Sequence, residues 1–280
     1  MEIKIGQYNT LKVVKSLDFG VYLDGGELGE ILMPAKWVPP GTQPGDDVEV
    51  FIYFDSEDRP IATTLKPKAT VGSFAWLKVK AVDRIGAFLD WGLDKDLLVP
   101  FSEQNAKMEE GRSYLVYLYV DPRSKRIAAS AKLEKFLDKE PIDYSEGQQV
   151  DLIIWTRSEL GFKAIINQKH QGLLYSGEIF QDLKPGEQRK GYIARIRPDD
   201  KIDLRLQPSG YENMIDDFSQ KLLNAIKEND GFLPLTDKSS PEEIYRILQM
   251  SKKNFKKSVG ALYKKQLIAI NENGIALRAS

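Results

Sequence analysis

One histidine, His170, and no cysteine leave this chain few side chains for nucleophilic or metal chemistry. A Ser-His-Asp triad would depend wholly on His170. That residue reads as part of a polar turn, Asn167-Gln168-Lys169-His170-Gln171-Gly172, and no Gly-x-Ser-x-Gly elbow accompanies it. Thiolate zinc sites and disulfides are excluded. Neither Gly-x-x-x-x-Gly-Lys nor Gly-x-Gly-x-x-Gly occurs, so two common phosphate cradles are missing from the sequence. The acids Asp55, Glu57 and Asp58, and Asp199 and Asp200, fall between strand-like runs, where carboxylates serve turns, and an acid-cluster nuclease is disfavoured. The clearest chemistry is polyanion contact. Lys252, Lys253, Lys256, Lys257, Lys264 and Lys265 occupy one predicted helix without an acid, and Lys253, Lys257 and Lys264 share a face. Lysines neutralise phosphates but discriminate little between bases. With a net charge of −1 there is no global basic field, so any such contact must use local patches.

What positions these residues is a repeat. Asp18-Phe19-Gly20-Val21-Tyr22-Leu23-Asp24 recurs as Arg84-Ile85-Gly86-Ala87-Phe88-Leu89-Asp90 and, degraded, as Glu159-Leu160-Gly161-Phe162-Lys163-Ala164-Ile165. Gly6, Gly20 and Gly45 are spaced 14 and 25 residues apart, and so are Gly72, Gly86, Gly111 and Gly147, Gly161, Gly186. A period near 70 residues indicates tandem small domains.

Within repeat one, strands are predicted at Leu11–Val14, Gly20–Leu23 and Glu30–Pro34. Two more follow, a period-two run over Val48–Phe54 and a last strand at Ile61–Leu65. Five short strands with a longer Pro- and Gly-rich connection after the third describe a small barrel of OB type. Phe19 and Tyr22 lie three apart, so regular alternation cannot place both on one face; a bulge at Gly20 would. Repeat two follows the same plan. An extra segment around Lys132, Lys135, Phe136 and Leu137 then predicts a short linker helix ending before Pro141. From Glu212 the pattern becomes helical. Ile215, Phe218, Leu222, Leu223 and Ile226 recur at helical spacing, and Ser240-Pro241-Glu242-Glu243 starts a second helix through Ile244, Ile247 and Leu248. Ser251 caps a third, Lys252 to about Gln266, with an inner face of Phe255, Val259, Leu262 and Tyr263. Leu267–Ile270 and Ile275–Arg278 flank an Asn-Gly turn. Three helices and a hairpin make a winged helix.

Each repeat resembles an S1 RNA-binding domain, an OB-fold module whose signature is Phe-Gly-Ala-Phe-Val, then a short Gly-Leu-Val-His strand, then an alternating strand ending in Val-Asp and a basic residue. Three such repeats followed by a winged helix resemble the conserved virulence factor B (CvfB) family of bacterial RNA-binding regulators, over essentially the whole chain. The resemblance implies a mainly β fold with a C-terminal α+β domain: three tandem S1-like OB barrels at residues 1–67, 68–139 with the linker helix, and 140–210, the divergent one, then a winged helix at 211–280. It also implies an RNA face of two aromatics, a histidine, and an Asp and a basic residue from the strand-four/five loop. Carried over, that face is Phe19, Tyr22, Asp55 and Arg59 in repeat one, with Met33 at the histidine position. In repeat two it is Phe88, Asp121 and either Lys125 or Arg126, with Ile85 and Val99 as departures. In repeat three, Leu160, Lys163, Tyr175, Arg197 and Lys201 stand at the corresponding places.

The functional expectation is therefore a non-enzymatic, cofactor-free RNA-binding regulator with no metal site. It reads single-stranded RNA by stacking bases on aromatics, with Arg and Lys at the phosphates. Lys252, Lys253, Lys256, Lys257 and Lys264 would add a winged-helix contact. The alternatives are a DNA-binding transcriptional regulator acting on duplexes through that helix, or a protein-interaction scaffold. The N-terminal residues Met1-Glu2-Ile3-Lys4 do not read as a signal peptide and no apolar run approaches 18 residues. A cytoplasmic location and no membrane partner are expected; oligomeric state stays open.

Overall fold

The computed structural model describes residues 2–138, 143–176, 179, 182–208 and 217–278. Strands β1 (Tyr8–Leu17), β2 (Gly20–Asp24), β3 (Glu30–Pro34), β4 (Asp47–Phe54) and β5 (Pro60–Thr63) close a barrel in the order β1-β2-β3-β5-β4, with β3 and β5 parallel. Strands β6 (Phe74–Asp83), β7 (Gly86–Asp90), β8 (Leu97–Pro100), β9 (Ser113–Val120) and β10 (Ile127–Ser130) repeat the plan as a five-stranded sheet ordered β10-β9-β6-β7-β8, a nearly closed barrel. Strands β11 (Gln149–Arg157), β12 (Gly161–Ile166), β13 (His170–Tyr175), β14 (Gln188–Ile196) and β15 (Ile202–Arg205) close the third.

The recurring glycines have a steric cause. A Cβ on Gly20, Gly86 or Gly161 would lie 2.2, 2.2 or 1.9 Å from the carbonyl oxygen of Met33, Val99 or Leu174, so β2, β7 and β12 approach their neighbours too closely for any side chain. The third glycine of each set makes a repeated bond: the amides of Gly45, Gly111 and Gly186 donate to the carbonyls of Val13, Val79 and Ile154 at 2.8, 2.9 and 2.7 Å. Immediately after those carbonyls the first strand of each barrel slips register. The bulge expected at Gly20 is therefore on the facing strand, at Val14. Phe19 belongs to the turn before β2, outside the pleat, which is how it escapes alternation.

Neighbouring barrels share apolar cores. Strand β4 was expected to alternate, yet Phe51 and Tyr53 are as buried as Val50 and Ile52, because its outer face packs against barrel two. Trp91 meets Phe51 and Tyr53 edge-on, with ring centroids 5.8 and 6.4 Å apart. Ion pairs close the rim: Lys36 to Asp94 at 2.6 Å, Lys95 to Asp58 at 3.3 Å, and Arg126 to Asp58. Between barrels two and three, Phe74, Leu115 and Leu133 pack with Ile153 and Ile165. The Gln168 side-chain amide brackets Phe74, accepting from its amide at 2.6 Å and donating to its carbonyl at 3.2 Å. Trp76 lies over Gly186, where a Cβ would come within 2.2 Å of the indole. The expected linker helix is a single 3-10 turn, Leu133–Phe136, drawn into this seam by Phe136 stacking on Tyr117 at 4.2 Å. Pro141 lies outside the described residues.

The C-terminal unit has helices α1 (Asp217–Glu228), α2 (Pro241–Leu248) and α3 (Lys252–Lys264), and strands β16 (Phe232–Leu233), β17 (Ile268–Asn271) and β18 (Gly274–Leu277) in the order β16-β18-β17. Its core joins Leu222, Ile226, Ile244, Leu248, Phe255, Leu262, Ile268 and Ile275. Ser240 accepts a hydrogen bond from the Glu243 amide at 3.1 Å and Ser251 from the Asn254 amide at 3.3 Å, as their capping patterns require. Tyr263, expected inside, is exposed because α3 buries Asn254 and Ser258 beside Phe255 and Leu262. The hairpin turn is Glu272-Asn273, and Gly274 already pairs with Asn271 in β18. Strand β16, only two residues long, has no periodicity to mark it in the sequence, and Ile215 lies outside the described residues. Among the described residues no helix is long and apolar enough to cross a membrane.

Candidate nucleic-acid interface

In repeat one the turn before β2 presents Phe19, 56% exposed, and β2 presents half-buried Tyr22; their rings meet edge-on at 6.3 Å and 86°. Lys15 Nζ lies 4.5 Å from the Tyr22 ring centroid, brought there by the slip that pairs Lys15 with Tyr22, and also pairs with Glu30. The β4–β5 loop adds a rigid acid. Asp55 Oδ1 accepts from the amides of Glu57 and Arg59 at 2.9 and 3.0 Å, and Oδ2 from Arg59 Nε at 2.9 Å. Partial burial pushes the Asp55 carboxyl up, but these hydrogen bonds and the guanidinium outweigh it and hold it below the usual carboxylate range. Asp55 therefore serves to aim Arg59, whose side chain is 66% exposed.

The same loop recurs in each barrel and fixes the correspondence. The amides of Asp55, Asp121 and Arg197 donate to the carbonyls of Arg59, Arg126 and Lys201 at 3.0, 2.8 and 2.9 Å. The residue before each acceptor, Asp58, Lys125 or Asp200, is left-handed. Arg126, not Lys125, is thus the counterpart of Arg59. Its guanidinium turns to Asp58 of repeat one, while Asp121 is held by Ser124 and the Arg123 amide.

The turn position occupied by Phe19 is exposed in every barrel, Ile85 at 59% and Leu160 at 63%. Phe88 is half-buried beside Ile85 and lines a cavity of about 380 Å³ with Tyr119, Asp121 and Arg126. In repeat three, Leu160, Lys163, Arg197 and Lys201 line a broad cleft of about 1120 Å³. Lys163 lies 5.3 Å from the Trp155 ring, Arg197 Nε sits 3.2 Å from Asp203 without hydrogen-bond alignment, and Lys201 pairs with Asp199.

Two expectations need correction. Tyr175 does not stand in line with Met33 and Val99. Strand pairing aligns it with Pro34 and Pro100, and makes Leu174 the counterpart of Met33 and Val99, each buried in the core of its own barrel. The outward position at this strand end is therefore Pro34, Pro100 or Tyr175. His170 is not a turn residue either: it opens β13, sits 3.1 Å from the Tyr144 hydroxyl and lines the repeat-three cleft. Lys15 and Trp155 carried no sequence signal, since only the bulges bring them to this face.

On α3, Lys253, Lys256, Lys257 and Lys264 are exposed and Lys252 half-buried, opposite the buried Phe255 and Leu262. Among the described residues no group of three or more His, Asp or Glu is placed to hold a metal.

Comparison with known proteins agrees with this architecture. Residues 5–65 and 71–132 match the S1 domain model, and residues 220–277 match the CvfB-like winged helix domain. The Bacillus subtilis protein YitL is 27% identical over 277 residues, covering 96% of this chain and 92% of its own. Conserved virulence factor B of Staphylococcus aureus is 29% identical over 240 residues, covering 83% and 80%. A solved structure described as a multidomain protein with nucleic acid binding domains from Streptococcus pneumoniae is 25% identical over 98% of both chains, with a TM-score of 0.44. S1 and winged-helix units are nucleic-acid-binding domain types.

Proposed function

We propose that this chain, which belongs to the CvfB family of S1 domains closed by a winged helix, is a non-enzymatic cytoplasmic protein that binds single-stranded RNA and regulates gene expression after transcription. The observation that carries the reading is the group formed by exposed Phe19, Lys15 and Arg59 with half-buried Tyr22. It joins an aromatic platform to two cations on one barrel face, the combination that binds single strands without strict sequence preference. The faces of repeats two and three vary it, with Phe88 and Arg126 in one and Lys163, Arg197 and Lys201 in the other. No cofactor or metal is invoked. Fluorescence anisotropy of the full chain with labelled single-stranded RNA tests the reading. Salt-dependent binding tighter than about 100 µM is expected, since non-specific protein–nucleic-acid contacts fall in the range of about 1–100 µM; no binding in that range overturns it.

A second reading is favoured by the exposed lysines of α3: duplex DNA bound through the winged helix. Competition separates the two. Displacement of labelled RNA by unlabelled RNA but not by equimolar duplex supports the first, and the reverse supports the second.

A further inference from the structure

We propose that the cavity at the seam of the first two barrels is a composite pocket for one unstacked nucleobase of a single-stranded nucleic acid. This rests on the reading above and assigns it a site that neither barrel forms alone. Repeat one contributes Tyr53 and Phe54, the end of β4; repeat two contributes Phe88, Trp91, Tyr119 and Arg126. The cavity volume, about 380 Å³, is at the low end of the range for small-ligand pockets.

The chemistry of the walls selects the occupant. The partly exposed rings of Phe54 from one barrel and Phe88 and Tyr119 from the other line it, and a base gains from a π face whatever its identity. The polar groups lie at the edge. Asp121 spends one carboxylate oxygen on the Arg123 amide and on Ser124, and so offers an acceptor edge for base N–H groups. Burial, with Glu103 and Asp121 nearby, pushes the Tyr119 phenol to about 12, so it stays a donor. At the mouth the single carboxylate of Asp58 stands between two cations, Lys95 and Arg126. Arg126, its side chain largely exposed there, is the cation that the phosphate of an inserted nucleotide would meet. A purely apolar side chain would use none of these groups.

The pocket is also preformed. Phe51, Tyr53 and Trp91 make one core across the seam, and Lys95 Nζ donates to the Asp55 carbonyl of the other barrel at 2.6 Å. Little ordering is then needed when a base enters. The position also bears on the path of the strand. A base leaving the Phe19–Tyr22 platform passes the Asp55–Arg59 loop, and Asp58 in that loop already touches Arg126 at the pocket mouth.

The test is photocrosslinking of the full chain to oligouridylates carrying a single 4-thiouridine, with adducts mapped by mass spectrometry. Adducts on Phe54 of repeat one, together with adducts on Phe88 or Tyr119 of repeat two, are expected. Arg126→Ala is solvent-facing and keeps the core intact. It and Phe54→Ala should each weaken oligouridylate binding, Phe54→Ala by about 5- to 150-fold, the value of one stacked base. RNA that binds and crosslinks at Phe19 but not at the seam, with both variants at wild-type affinity, overturns the pocket and leaves the broader reading standing. Protection of the seam by free uridine monophosphate without any RNA adduct there also overturns it, by assigning the cavity to a free nucleotide. Absence of all RNA binding would instead sink the broader reading.

Discussion

Replacing Phe19 and Tyr22 together by alanine probes the platform directly, and the geometry sets the size of the effect. The two rings are nearly perpendicular, 86° apart at 6.3 Å, so a base lying flat on Phe19 meets only the edge of Tyr22. Lys15 already occupies one face of Tyr22. The pair therefore offers one stacking position, not two, and the double substitution should cost about 1–3 kcal/mol of binding rather than twice that. In affinity this is about 5- to 150-fold. Lys15 and Arg59 remain, so the slope of log affinity against log salt stays unchanged while the whole line drops. Fold stability should fall modestly. Exposed Phe19 contributes little, and the aromatic pair and the Lys15 contact are each of order 1 kcal/mol. Anisotropy titrations at three salt concentrations, with a urea melt of the same sample, measure both. A folded variant within twofold of wild type refutes the platform, and a loss beyond about 4 kcal/mol refutes the claim that the rings act as one.

Three further outcomes follow from other parts of the molecule. Trp91→Ala removes a buried indole shared by two barrels and should cost about 3–5 kcal/mol, read as a shift of the urea midpoint. A change below about 1 kcal/mol would mean that the seam is not a true core. Lys253→Ala with Lys257→Ala should flatten the salt dependence of RNA binding by about 0.7 for each phosphate no longer neutralised, up to about 1.4 for both; an unaltered slope removes α3 from the interface. The Asp55 carboxyl titrates below the ordinary value, so the folded state binds its proton less readily than the unfolded chain. The stability advantage of wild type over Asp55→Asn is then complete above the unfolded value, about 3.9, and is lost as pH falls through the lower folded value. Urea melts at about pH 6, 4 and 2.5 should show the gap closing, and a gap that widens toward acid contradicts the assignment.

The barrels were legible because their constraints are local. Gly20, Gly86 and Gly161 each face a carbonyl with no room for a Cβ, so the requirement is written three times at one spacing. Ser240-Pro241-Glu242-Glu243 announced α2 because a cap involves only neighbouring residues. What escaped depends on distant pairing. Phe51 and Tyr53 look like the outer positions of an alternating strand until barrel two covers them. The sequence leaves the place of Tyr175 open by one residue because His170–Tyr175 carries no mark of its register against Gly161; the hydrogen-bond ladder supplies it. The choice between Lys125 and Arg126 needed the backbone, since the left-handed residue and the accepting carbonyl identify the equivalent of Arg59. His170 resembles a loop residue because the polar run Asn167–Gly172 continues past the turn into the first three residues of β13.

The shared cores also change how weak sites combine. Flexibly tethered domains gain from a second site through an effective concentration set by the linker. Here barrel two is fixed to barrel one by Trp91 and to barrel three by Phe74, Leu115 and the Gln168 bracket. The distance between faces is then a structural constant. A strand following that path engages successive faces with no ordering cost between barrels, and a strand that cannot follow it gains nothing from the second. Affinity should therefore rise in steps with RNA length rather than smoothly. On the proposed reading, the decline in aromatic character from Phe19 and Tyr22 to Phe88 to Lys163 fits this arrangement: a rigidly presented strand would need strong stacking at one end only, and cations such as Lys163, Arg197 and Lys201 would hold the rest.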